Sequence, residues 1–122
     1  MNTAVFYTPK YLDHDTGPDH PETPDRLRVI MQELSRSGVL KTRKCSILTP
    51  KPAKLKDLEL VHEPDYIELV QRTCAIGGGL LDLGDTVVSV ESCKVAFLAA
   101  GGVLHAVNLV ASGKARNAFA LV

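Results

Sequence analysis

Cysteine is scarce and scattered along this chain. Cys45, Cys74 and Cys93 are odd in number and stand far apart, which excludes a disulfide framework and any Cys-X-X-Cys zinc or redox pair. They read as small apolar residues of the interior. Net charge is missing too: 14 Lys plus Arg balance 14 Asp plus Glu, so nothing points to nucleic acid or to an acidic membrane surface. The start runs directly into Ala4-Val5-Phe6-Tyr7 without a basic stretch, a hydrophobic signal core or a small-residue cleavage site, the pattern of a cytoplasmic protein. There is one long apolar run, residues 95–111, but Gly101-Gly102, His105 and Asn108 interrupt it, and it is short for a hydrocarbon layer of about 30 Å. The expectation is a helix covered on most sides within a protein core, not a membrane span. What is present, 122 residues at 45% apolar content, suits one domain over residues 1–122 with a modest core.

Strand and helix signals alternate. Residues 4–7 read as a buried first strand ended by Pro9. Thr23 is placed to cap a helix that starts at Pro24, and Asp25 suits its positive end. Leu27, Ile30, Met31 and Leu34 follow as one apolar stripe, and Gly38 is the stop. Residues 45–48 form a second strand, so that strand, helix and strand make a right-handed parallel unit. Leu55, Leu58 and Val61 line a short helix; Ile67, Val70 and Cys74 share a face of the next, which Gly77-Gly78-Gly79 breaks. Residues 80–90 read as a loop leading to Ser89, the cap of the long apolar helix, and residues 117–122 as a third strand. The fold class is α/β with a parallel sheet.

Chemistry concentrates in residues 13–26. Asp13, His14, Asp15, Asp19, His20, Glu22 and Asp25 fall together, while Pro18, Pro21 and Pro24 stiffen the backbone and Gly17 frees a turn. The six-residue spacing of His14 and His20 matches no standard zinc pattern, so this loop makes no metal site by itself. An acidic surface loop tied down by hydrogen bonds is the plainer reading. Arg26 sits in the first turn of a helix, where a cation is poorly placed for the dipole and needs another reason to be there, the plainer one being a surface ion pair with Asp19, Glu22 or Asp25. His105 reads as a hydrogen-bonded core histidine.

His20-Pro21-Glu22-Thr23-Pro24-Asp25-Arg26-Leu27, then His62-Glu63-Pro64-Asp65-Tyr66-Ile67, Asp85-Thr86 and Ala99-Ala100-Gly101-Gly102, stand in an order that resembles the amino-terminal portion of the histone deacetylase family, with its acetoin-utilisation and acetylpolyamine deacetylase relatives. The resemblance spans nearly the whole chain. It implies an arginase-like three-layer α/β/α fold, present in part with about three strands, the first lying between the other two. It also implies a zinc amidohydrolase acting on acetyl-lysine or acetylpolyamine. By the same resemblance His14, His20, Pro21 and Glu22 shape the mouth of a substrate tunnel, Ser89 and Ser92 belong to a second entrance loop, and Arg26 borders an internal cavity where a guanidinium attracts released acetate.

The family's tandem histidines and zinc ligands follow the strand at residues 119–122, and this chain has neither an adjacent His-His pair nor an Asp-X-His motif. The expectation is therefore an amino-terminal fragment that is not catalytic alone and holds no zinc itself, although zinc serves the full-length enzyme. Its partners would be an acetylated amine or acetyl-lysine substrate, not nucleic acid or membrane, and the fragment would self-associate through the open edge of its third strand. Two other readings stand beside it: a non-catalytic interaction domain using that edge, and a small-ligand module using Arg26 for a carboxylate.

Overall fold

The computed structural model describes residues 2–122. Strand β1 (Thr3–Phe6) lies between β2 (Cys45–Leu48) and β5 (Asn117–Ala120), parallel to both, with Val5 opposite Ile47 on one side and Phe119 on the other. The expected strand order and direction are therefore found. Leu121 falls just outside β5, but its N–H still donates to the Phe6 carbonyl at 3.0 Å, so the ladder extends one residue past the strand. Ala4, Val5 and Phe6 are buried on both faces of the central strand, as suits a parallel sheet.

Helix α1 (Asp25–Arg36) connects β1 to β2, while α2 (Leu55–Leu58), α3 (Pro64–Ala75) and α4 (Ser92–Ala111) lie between β2 and β5. The chain moves outward from β1 in one direction through α1 and returns across it through α4. Right-handed crossovers in opposite directions place those two helices on opposite faces, the basis of a three-layer arrangement. Contacts agree: Ala4 and Phe6 cluster with Ala106, and Leu109 packs against them; Leu27, Ile30 and Met31 of α1 join Tyr7, Tyr11 and Leu121. Strand alternation puts Tyr7 on the side of Val5, opposite Phe6.

Several local expectations change. Helix α1 begins at Asp25, with Pro24 as a cap residue already in the helical region, and Thr23 Oγ1 reaches the Asp25 N–H only at 3.4 Å. The short helix α2 ends at Leu58, so Val61 lines nothing and is exposed. Residues 80–90 are not all loop: β3 (Gly79–Leu80) and β4 (Val87–Val88) pair antiparallel. Cys74 is buried, but Cys45 and Cys93 are only half-buried.

Helix α4 is not covered on most sides. Only Ser92, Gly101, Gly102 and Ala106 are buried, and Val103, Leu104, Val107 and Val110 face outward. It is long and apolar enough to cross a membrane by length and composition, yet its small residues seat it on β1 and β5. Gly101 and Gly102 let the helix also approach the segment after β2 and Tyr11 closely. A Cβ on Gly101 would overlap the Lys51 carbonyl and lie 2.5 Å from the Ala53 nitrogen, and one on Gly102 would lie 2.7 Å from the Tyr11 hydroxyl. His105 accepts from the Lys51 N–H at 3.3 Å through Nδ1, the satisfied histidine expected there.

Ile47 and Phe119, flanking Val5, remain 45% and 46% exposed, and among the described residues β5 pairs only with β1. An apolar row beside an open edge favours strand pairing between copies. The chain is expected to self-associate as concentration rises, with Phe119→Lys shifting it towards monomer. Light scattering checks this, and a wild-type monomer at high concentration would refute it.

Candidate functional site

A 3₁₀ segment, Pro9–Asp13, follows β1, and Thr8 caps it by accepting from the Lys10 N–H. Its Tyr11 is buried and donates a hydrogen bond to the Leu98 carbonyl of α4 at 3.1 Å, and burial pushes the phenol up to about 12. This anchor fixes where the chemistry-dense loop begins. The buried Thr16 hydroxyl donates to the Glu22 carbonyl at 2.6 Å, and the Gly17 N–H donates to Asp15 Oδ1 at 2.9 Å, so the loop is folded on itself. Asp19 takes a left-handed φ of 63°, a conformation that aspartate tolerates better than most residues.

Three hydrogen bonds then tie this loop to the segment 82–92. His14 Nδ1 lies 2.6 Å from Ser92 Oγ, and the His20 ring lies between the Glu22 N–H at 3.0 Å and the Asp85 carbonyl at 2.9 Å. The Ser89 hydroxyl does not cap α4 as expected. It meets Ser92 Oγ at 3.0 Å and accepts from the Asp15 N–H at 3.2 Å, which makes it part of the loop-to-helix junction. Ser92 is itself the first residue of α4 and is buried.

Two cavities flank the junction. The first, about 460 Å³ and mostly apolar, is lined by His14, Glu22, Arg26 and Ser92 together with residues of α3 and α4. The second, about 480 Å³ but shallower, is lined by His14, His20, Pro21, Glu22 and Arg26 with Asp85 and Thr86. The structure thus brings all six sequence-selected residues to one region, with His14, Glu22 and Arg26 on the wall common to both cavities. Arg26 forms no ion pair among the described residues; Asp25 pairs with Arg28 instead. Also among the described residues, no three His, Cys, Asp or Glu side chains gather as a metal centre. The two segments that meet here are acidic: Asp13, Asp15, Asp19, Glu22, Asp82 and Asp85 occur in stretches without Lys or Arg, since none lies between Lys10 and Arg26 or between Arg72 and Lys94; Glu22 and Asp85 line the cavities.

Asp82, not singled out from the sequence, shapes the second segment. Its carboxylate accepts from the Thr86 hydroxyl and from the Gly84 and Thr86 N–H groups, and these bonds hold its pKa below the usual carboxylate value. A depressed carboxylate stabilises above its unfolded value and loses that contribution as pH falls through the folded one. The β3–β4 turn is therefore expected to loosen under acid, with Asp82→Ala producing the same loosening at neutral pH. Chemical shifts of the Gly84 and Thr86 amides across an acid titration check this; unchanged shifts in Asp82→Ala would refute it. The Asp-X-Gly-X-Thr spacing was the available signal. Tyr11 gave no such signal, because an aromatic just past a strand has no periodic partner.

The histone deacetylase domain model matches residues 20–122. This chain belongs to the histone deacetylase family. A probable deacetylase of Archaeoglobus fulgidus is 33% identical over the whole chain, which covers 33% of that relative. The human polyamine deacetylase HDAC10 is 32% identical over the whole chain, which covers 19% of it. The crystal structure of the HDA15 HD domain superposes with a TM-score of 0.90 at 30% identity, over 99% of this chain and 35% of that one. The chain thus spans roughly a third or less of these relatives' length, and its three-stranded parallel sheet with flanking helices is a part of the family's α/β fold.

Proposed function

We propose that this chain forms the entrance rim and inner wall of a zinc-dependent deacetylase that hydrolyses N-acetyl amides, with zinc and the proton-handling groups held by residues outside these 122. The observation that carries this reading is the junction of the two loops, residues 13–23 and 82–92, through His14 and His20, beside a cavity wall that presents Arg26. The donors of this chain do not fit a zinc centre, because no three of them converge among the described residues. The part left to the chain is binding and orientation. Zinc, where bound, polarises an acetyl carbonyl and activates water.

On this reading the acidic rim attracts substrates that keep a positive charge away from the acetylated nitrogen, as an acetylpolyamine or an acetyl-lysine in a basic peptide does. The relative named as a polyamine deacetylase is compatible with that chemistry. Arg26, free of carboxylate partners among the described residues, suits the released acetate. The test is an assay of the complete protein on both substrate types. Arg26→Ala is expected to slow turnover by about 10-fold or more, since a hydrogen bond to a charged group contributes about 1.5–3 kcal/mol. Equal turnover by wild type and Arg26→Ala would remove Arg26 from the reaction.

The exposure of Phe119 and Ile47 favours a second reading, a non-catalytic domain that binds partners by strand addition. Failure of the complete protein to deacetylate any acyl amine, with partner binding abolished by Phe119→Lys, would select it.

A further inference from the structure

We infer that His14 and His20 are positioning residues: with Ser89 and Ser92 they form a two-point latch that fastens the rim loop 13–23 onto the segment 82–92, which rests on the entrance reading above. The hydrogen-bond roles follow from the partners. The Glu22 N–H can only donate, so His20 Nδ1 accepts; the Asp85 carbonyl can only accept, so His20 Nε2 carries the proton. His20 is thereby held as one tautomer, Nδ1 engaged within its own loop and Nε2 reaching a residue 65 positions away.

The other point works differently. Ser92 Oγ already accepts from the Ser89 N–H at 2.7 Å and touches Ser89 Oγ at 3.0 Å and His14 Nδ1 at 2.6 Å. A hydroxyl has one proton and two lone pairs. If Ser89 donates to Ser92, then Ser92 donates to His14; if Ser92 donates to Ser89, then His14 donates to Ser92. Both arrangements keep Ser89 Oγ able to accept from the Asp15 N–H, and the first also uses the Ser89 hydroxyl proton within the set. Ring, two hydroxyls and two backbone amides make one closed set joining the loop to the first turn of α4. His20 has both ring nitrogens in hydrogen bonds and His14 engages Ser92 through Nδ1, and their contribution is geometric: they hold the two segments together beside the two cavities.

The test uses the 122-residue chain without substrate. Nitrogen-15 spectra at neutral pH are expected to show His20 protonated at Nε2 and unprotonated at Nδ1. Amide exchange at Asp15 is expected to accelerate by roughly 10-fold in His14→Ala and in Ser92→Ala, and no further in the double variant, because both remove the same latch. His14→Asn, whose side-chain amide can occupy the Nδ1 position, should restore protection. His20→Ala should accelerate exchange at Glu22 by a similar factor. An Nδ1-protonated His20, or wild-type exchange at Asp15 in His14→Ala, would overturn the latch; the His20 spectrum of the unaltered chain tests it even if Ser92→Ala does not fold. In the complete protein, His14→Ala should raise KM for an acetylated amine more than it lowers kcat, and His14→Asn should restore it. An intact latch in a protein without deacetylase activity would refute the entrance reading and leave the latch standing.

Discussion

Gly101→Ala is expected to destabilise the chain by about 3 kcal/mol, at the upper end of what one added methyl does to a packed interface. The new Cβ would overlap the Lys51 carbonyl and crowd the Ala53 nitrogen, both backbone atoms, which cannot rotate away as a flexible side chain would. The Ala53 N–H also donates to the Phe97 carbonyl at 2.8 Å, so moving α4 outward would break the bond that holds the segment after β2 against it. The loss is a large share of the roughly 5–15 kcal/mol that keeps an ordinary domain folded. Urea denaturation of the two proteins checks it. Gly17→Ala is the comparison: its Cβ meets nothing within 4 Å, and only the left-handed φ of 82° resists, at a cost of about 1 kcal/mol. Similar losses at the two positions would show that the α4 contact is softer than its geometry.

The second large effect is on activity. The 122-residue chain by itself, with zinc added, is expected to show no turnover of acetyl-lysine or acetylpolyamine substrates. Zinc-assisted amide hydrolysis needs several converging donors and an open coordination place, whereas His14 Nδ1 and both His20 ring nitrogens are engaged by serine and backbone groups. An assay following acetate release, sensitive enough to detect single turnovers, checks this. Zinc-dependent turnover that disappears in His20→Ala would place the chemistry in the loop of residues 13–23 and overturn the proposed division of labour.

Much of the fold was legible because its signals are local. Short apolar runs bounded by proline or glycine marked the three strands, and the stripe Leu27, Ile30, Met31 marked α1. Where local signals misled, distant contacts had decided. The Ser89 hydroxyl looked like a helix cap, and capping is the usual outcome for a serine there, but the rim loop arriving from residues 14 and 15 engaged it instead. The 80–90 segment lacked strand periodicity because two residues per strand are too few to show any. The outward face of α4 looked like an interior face because apolar composition alone says that a surface wants cover, not whether cover is there.

The sequence by itself determined the α/β class, the parallel order around β1, the family and the region in which the candidate residues gather, since apolar spacing, helix punctuation and ordered motifs are all written along the chain. Tertiary structure alone decided what those residues do to one another. His14 meets Ser92 across 78 positions, His20 meets Asp85 across 65, and Arg26 is left without a carboxylate while Arg28 takes Asp25. A hydrogen bond depends on tenths of an ångström and on direction, and these are set only when strand pairing and the close seating of α4 at Gly101 bring the two loops together.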